Sequence, residues 1–162
     1  MEVKLKKGAK KDIPGALKLI KELAVFEKAP KEVEVSVEEM LNWGFGKKKI
    51  FDFFVLEKKA KIIGLALFYY KYSTWKGKCL FLEDIIVTQK ERGKGYGKLL
   101  FNEVLKVARK EKVRRMEWQV LEWNTDAMEF YKKYSSHFDG EWINCKLTYR
   151  QLQEIKTGKS LS

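Results

Sequence analysis

The order of apolar periodicities in this chain predicts an α/β (α+β) layer fold: a mixed central sheet of about six to seven strands flanked by about four helices. Three observations carry that expectation. Helical spacing of apolar residues appears early, near Leu17, and again after Gly97. Between them, from Phe51 to Thr88, stand long runs of β-branched and aromatic residues. Strand and helix patterns then alternate to the end, which is the signature of strands and helices packed in layers.

Taken in order, Val3 to Lys7 alternates apolar and charged residues, as a short edge strand does. Asp12 stands where an N-cap belongs, Pro14 fits a first turn, and Leu17, Ile20, Leu23 and Ala24 form one apolar stripe of a helix ending before Pro30. Ser36-Val37-Glu38-Glu39 is a capping-box pattern for a second, short helix that ends near Gly44-Phe45-Gly46. Phe51 to Glu57 and Lys61 to Tyr72 flank a polar turn and read as a hairpin. Lys78 to Thr88 is the next strand, and the helix after it buries Leu99, Leu100, Val104, Val107 and Ala108. Arg115 to Val120 alternates as a strand, Asn124 caps a helix running to about Lys133, and Ile143 to Tyr149 reads as the last strand.

With 162 residues and 45% hydrophobic content, the chain suits one domain over residues 1–155, followed by a polar tail at 156–162. No run of about eighteen apolar residues is present and the N-terminus lacks a signal-peptide core, so a cytoplasmic protein without membrane contact is expected. Cys79 and Cys145 belong to no metal-ligand spacing, and neither a metal nor a disulfide is expected. The net charge of +12 raises nucleic-acid binding. Its lysines are spread along the chain without a recognition motif, so a solvated surface is the reading adopted and nucleic acid is not an expected partner.

The stretch from Leu80 to Lys112 organises the rest. An apolar strand meets Arg92-Gly93-Lys94-Gly95-Tyr96-Gly97 and then a helix, and such a turn at a helix N-terminus is an anion site. A nucleotide P-loop is excluded: Arg92 stands where its first glycine belongs, and Leu99 follows Lys98 where a hydroxyl is needed. A dinucleotide fingerprint is excluded by the GxGxG spacing and by its depth in the chain.

Arg92-x-x-Gly95-x-Gly97 after an apolar strand resembles the acetyl-CoA signature of the GNAT N-acetyltransferase superfamily. Leu82-Glu83-Asp84, Glu122-Trp123-Asn124, Phe130-Tyr131, Leu19 to Ala24, Trp43 to Gly46, and Tyr72 with Trp75 and Gly77-Lys78 are similar to the diamine (spermidine/spermine) branch. The resemblance runs over nearly all of Val3 to Ile155. It implies the GNAT fold, acetyl-CoA as co-substrate, a small primary amine as acceptor, and a homodimer. It further implies that Arg92, Gly93, Lys94, Gly95, Tyr96, Gly97 and Lys98 hold the pyrophosphate, that the Ile86 and Val87 backbone runs beside the pantetheine arm, and that Asn124 contacts that arm.

An aliphatic amine with a pKa of about 10.4 arrives protonated and needs a proton acceptor before it can attack. The resemblance gives that role to Glu83, and the protonation of the leaving thiolate to Tyr131. Glu83 and Asp84 face opposite sides of a regular strand, so only one looks into a given groove unless the strand bulges there. Glu27, Trp75, Glu83 and Asp84 match the substrate positions, but Ser73 replaces an aspartate of the diamine enzymes. Together with the positive net charge, this leaves a short diamine or a lysine-like amino acid, including its thia-analogue, as plausible as a polyamine. The lone His137 sits in a polar loop and no role is given to it. Two other readings remain open: acetylation of a protein N-terminus or lysine, and a non-catalytic acyl-CoA or nucleic-acid binding module.

Overall fold

The computed structural model describes residues 2–155, so the tail expected at 156–162 lies outside the described residues. The chain forms two compact units, one up to Leu121 and one from Glu122. In the first, strands β1 (Lys4–Lys7), β2 (Asp52–Lys58), β3 (Lys61–Ser73), β4 (Gly77–Val87) and β5 (Arg115–Trp118) form one sheet in that spatial order. The first four are antiparallel neighbours and β5 joins β4 in parallel. Helices α1 (Ile13–Phe26) and α2 (Val37–Phe45) lie between β1 and β2 in sequence, and α3 (Tyr96–Lys110) makes the β4-to-β5 crossover that a parallel pair requires.

Both faces of the sheet are covered. Ile13, Ala16, Leu17 and Leu19 of α1 and Met40 of α2 pack with Phe53 and Val55 of β2, Leu65 and Leu67 of β3 and Ile86 of β4. Their spacing of two along each strand puts them on one face. Leu100, Phe101 and Val104 of α3 are fully buried, and Phe101 meets Trp118 of β5 edge to face at 5.3 Å. With cover on both sides, Ile63 to Phe68 of β3 is buried without a break, the pattern of a central strand.

The hairpin between β2 and β3 turns on Lys59 and Ala60, both in the left-handed region (φ 50° and 58°). That geometry suits the strand twist, although neither residue favours it. Lys58, expected in the turn as a solvated charge, is the last residue of β2 and pairs with Glu91 at 2.8 Å. Asp12, expected to cap α1, instead accepts from the Ala9 N–H at 2.9 Å and from Lys6 at 3.2 Å, closing the short turn before the helix. It is almost fully buried, and Lys6 is shared with Glu57. Ser36 does cap α2, accepting from the Glu39 N–H at 3.1 Å.

The second unit holds α4 (Thr125–Lys132) and α5 (Tyr149–Glu154). Asn124 caps α4 as expected, its Oδ1 accepting from the Ala127 N–H at 3.2 Å. The strand expected over Ile143–Tyr149 does not form. Its alternation of apolar and polar residues finds no pairing strand among the described residues, all of 137–155 is exposed, and the Thr148–Gln151 capping box turns the chain into α5. The sheet therefore has five strands among the described residues, not six or seven, and there are five α-helices instead of four. β5 also stops at Trp118, short of Val120. Its ladder with β4 ends at Leu82, the residue before a bulge.

Candidate active site

The bulge is the first element of the site. Leu67 of β3 pairs with Asp84 and Phe68 pairs with Leu82, so Glu83 is the extra residue on β4. A bulge breaks the alternation that would otherwise send Glu83 and Asp84 to opposite faces. Glu83 is exposed and accepts a hydrogen bond from the Tyr69 hydroxyl at 2.9 Å. Asp84 is half-buried. Loss of solvent, then the negative charges of Glu83 and Glu27, raise its carboxyl from an ordinary 3.8 to about 6. Glu27, at the C-terminal end of α1, is itself raised by desolvation. Three carboxylates thus share one field, and none of the three has an ion-pair partner among the described residues. Such an arrangement attracts a cation.

Past the bulge, Asp84 to Val87 pair with Leu67 to Gly64 of β3, while no strand pairs with the other edge of this segment among the described residues. Its main-chain groups can therefore meet an extended ligand. Val87 leads into a short 3₁₀ turn (Gln89–Glu91) held from several sides. The Glu22 carboxylate of α1 accepts from Thr88 Oγ1 at 2.9 Å and from the Gln89 N–H at 2.8 Å. Glu91 binds both Lys58 and Lys94, the latter at 2.7 Å, and these hydrogen bonds hold its carboxyl below the usual range. Arg92 donates from Nε to the Val87 carbonyl at 2.9 Å, and its guanidinium lies over the Phe26 ring at 5.0 Å.

Gly93 and Gly95 follow with φ of 77° and 79°, a conformation that costs a residue with a Cβ about 1–2 kcal/mol. Gly95 is the N-cap of α3, and with no side chain it cannot satisfy the helix's first N–H groups. Around Gly93, Gly95 and Gly97 nothing lies within 4 Å of where a Cβ would stand. The turn is therefore rigidly mounted, open and electropositive, and Lys94 and Lys98 beside it are exposed.

The β3–β4 turn carries the remaining residues of this unit. Ser73 Oγ accepts from the Trp75 and Lys76 N–H groups, both at 3.2 Å, and Trp75 and Tyr72 are about four-fifths exposed. In the second unit, Tyr131 on α4 is buried, its ring 5.2 Å from that of Phe130, and burial pushes its phenol up to about 12. His137 is exposed in a loop, as expected.

The pattern of the acetyltransferase (GNAT) family matches residues 17–135. A thialysine N-epsilon-acetyltransferase of Bos taurus is 34% identical over 80% of this chain and 81% of its own length. The chain belongs to the GNAT acetyltransferase family. This GNAT protein is also 32% identical, over 74% of its length, to a human spermidine/spermine N(1)-acetyltransferase-like protein, of which it covers 18%. An integron cassette protein from the mobile metagenome of V. cholerae shares its fold, with a TM-score of 0.76 at 19% identity over 95% of this chain and 97% of the other. The resemblance seen in the sequence to the diamine branch of the family is thereby upheld, and the protein is an acetyl-CoA-dependent N-acetyltransferase.

The GNAT turn fits the co-substrate on its own geometry. A pyrophosphate needs open backbone N–H groups and positive charge, which Gly93 to Lys98 present. Four residues that shape this site were given no role in it by the sequence. Tyr69 meets Glu83, Glu22 and Phe26 fasten the turn, and Lys58 neutralises Glu91. Each acts through a contact spanning 14 or more residues, and no local spacing marks such a contact.

Proposed function

We propose that this enzyme acetylates a primary amine of a small molecule, a diamine, a polyamine or a lysine-like amino acid, by direct attack of the amine. The observation that carries the reading is the trio formed by Glu27 at the end of α1 with Glu83 and Asp84 on the strand that also delivers the open glycine turn. A carboxylate trio draws in an ammonium group, and the bulged pair gives its proton a place to go. The names of the relatives point to amines of this size.

Acetyl-CoA supplies the activated acyl group as its thioester. Gly93, Gly95 and Gly97, with Lys94 and Lys98, hold its pyrophosphate, and Tyr96 lies in the same first turn. Arg92 serves chiefly by bracing the turn through Val87 and Phe26. The unpaired edge at Ile86 and Val87 runs along the pantetheine arm, where a main-chain N–H polarises the carbonyl. Glu83 takes the proton of the ammonium, Asp84 and Glu27 hold the amine in place, and Trp75 offers a ring against its methylenes. Tyr131 donates the proton to the departing thiolate, since a phenol held near 12 stays protonated at physiological pH. Asn124 contacts the arm while capping α4.

We further assign residues 1–155 to one acetyltransferase domain, a reading supported by a family match over 17–135 that crosses from the first compact unit into the start of the second. The working form is a homodimer: Trp142, Ile143, Leu147, Tyr149, Leu152 and Ile155 are all large, apolar and exposed. We place the enzyme in the cytoplasm; no helix among the described residues is long and apolar enough to cross a membrane. The test is release of free CoA with a panel of small amines. Rates above the amine-free background are expected for short diamines or lysine-like amino acids. A flat panel, with acetyl-CoA binding intact, contradicts the reading.

A further inference from the structure

We infer that Tyr69 positions Glu83 for proton abstraction, by donating its hydroxyl hydrogen bond to Glu83 Oε2 across the bulge of β4. The inference rests on the proposed role of Glu83 as proton acceptor. A bulged residue has no direct cross-strand partner, so its side chain lacks the neighbour that fixes an ordinary strand residue. Tyr69 supplies that neighbour. It pairs with Phe81, two residues before Glu83, and its ring packs against that of Phe81 at 5.4 Å, which holds the hydroxyl 2.9 Å from Oε2.

No other donor among the described residues meets Glu83, so its second oxygen is open to an incoming amine. The other charged groups nearby do not replace Tyr69. Asp84 and Glu27 share the sign of Glu83 and would push its carboxylate toward solvent. Lys71, 5.5 Å from the Phe81 ring, is engaged by Glu117 at 3.0 Å. The phenol also cannot take the proton itself. Burial first, then the hydrogen bond to Glu83 and the charges of Glu83 and Asp84, push it up to about 12, so it acts as a donor throughout the working pH range. Tyr69 is thus a positioning residue, not a catalytic one.

Tyr69→Phe keeps the ring and its packing and removes only the hydroxyl. With the best amine of the panel, kcat is expected to fall about tenfold, the scale of a lost hydrogen bond to a charged group, with the KM for acetyl-CoA unchanged. Combined with Glu83→Gln, it should add no further loss, because a positioner has nothing to act through once the carboxylate is gone. Wild-type kcat in Tyr69→Phe, or a full multiplicative loss in the double variant, would overturn the inference while leaving Glu83 in its role. Undiminished turnover in Glu83→Gln would overturn the acceptor assignment and the inference with it.

Discussion

Asp84 carries a charge the fold does not accommodate for free. Its carboxyl titrates near 6 in the native protein and near 3.8 when unfolded, so the native state binds the extra proton between those values. Stability is therefore unaffected below pH 3.8, falls as pH rises toward 6, and stays lowered above it, by up to about 3 kcal/mol. Asp84→Asn should raise the thermal midpoint at pH 7.5 by several degrees, with a gain that vanishes near pH 4, while amine turnover falls. An equal gain at both pH values would show that its charge is not the cause. At Tyr131 the expectation is kinetic: Tyr131→Phe should lower kcat about 10- to 100-fold with acetyl-CoA affinity intact, as measured by calorimetry and initial rates. Ser73 bears on the choice of amine. Because an aspartate can accept the same two turn N–H groups, Ser73→Asp should preserve the hairpin and raise the spermidine-to-diamine turnover ratio about threefold. An unchanged ratio would remove Ser73 from the specificity argument.

Among the elements, the glycine turn is the most constrained. Gly95→Ala places a Cβ at φ 79°, which should destabilise the fold by about 1–2 kcal/mol and weaken acetyl-CoA binding at least tenfold. Affinity retained at full strength would mean the turn is not the pyrophosphate anchor. Much of this element was legible in the sequence. The strand, the spaced glycines and most of the apolar stripe of α3 are local patterns, and local patterns survive folding when they agree with tertiary packing, although Leu99, expected to be buried in that stripe, is exposed. The bulge was only partly legible: two adjacent acids suggested a conflict of faces, but the register slip between Leu67 and Phe68 is a property of two strands read together. Asp12 misled because a capping carboxylate can serve the turn before a helix as readily as the helix, and Lys6 and Ala9 favour the turn. Ile143 to Tyr149 misled because alternation states which residues would share a face, not whether a neighbouring strand exists to pair with them.

At the scale of the whole molecule, composition and charge placed the protein among single-domain globular chains but said little of its chemistry or its acceptor. The +12 surface coexists with a local acidic trio, and that contrast favours a small cation that enters the acid cluster over a long one that must also lie along basic surface. Trp142, Ile143, Leu147, Tyr149, Leu152 and Ile155 are exposed, a surface that no periodicity in the sequence marks. The proposed homodimer should appear as a doubled mass in analytical ultracentrifugation at micromolar concentration, and Ile143→Lys with Leu147→Lys should shift it toward monomer. The most direct measurement offers the enzyme acetyl-CoA and an equimolar mixture of thialysine, ornithine, putrescine, spermidine and a lysine-containing peptide, and identifies the acetylated product by mass spectrometry. The account predicts that one of the small amines is acetylated, with one CoA released per product. Acetylation of the peptide alone, or no product while acetyl-CoA is bound, would contradict it.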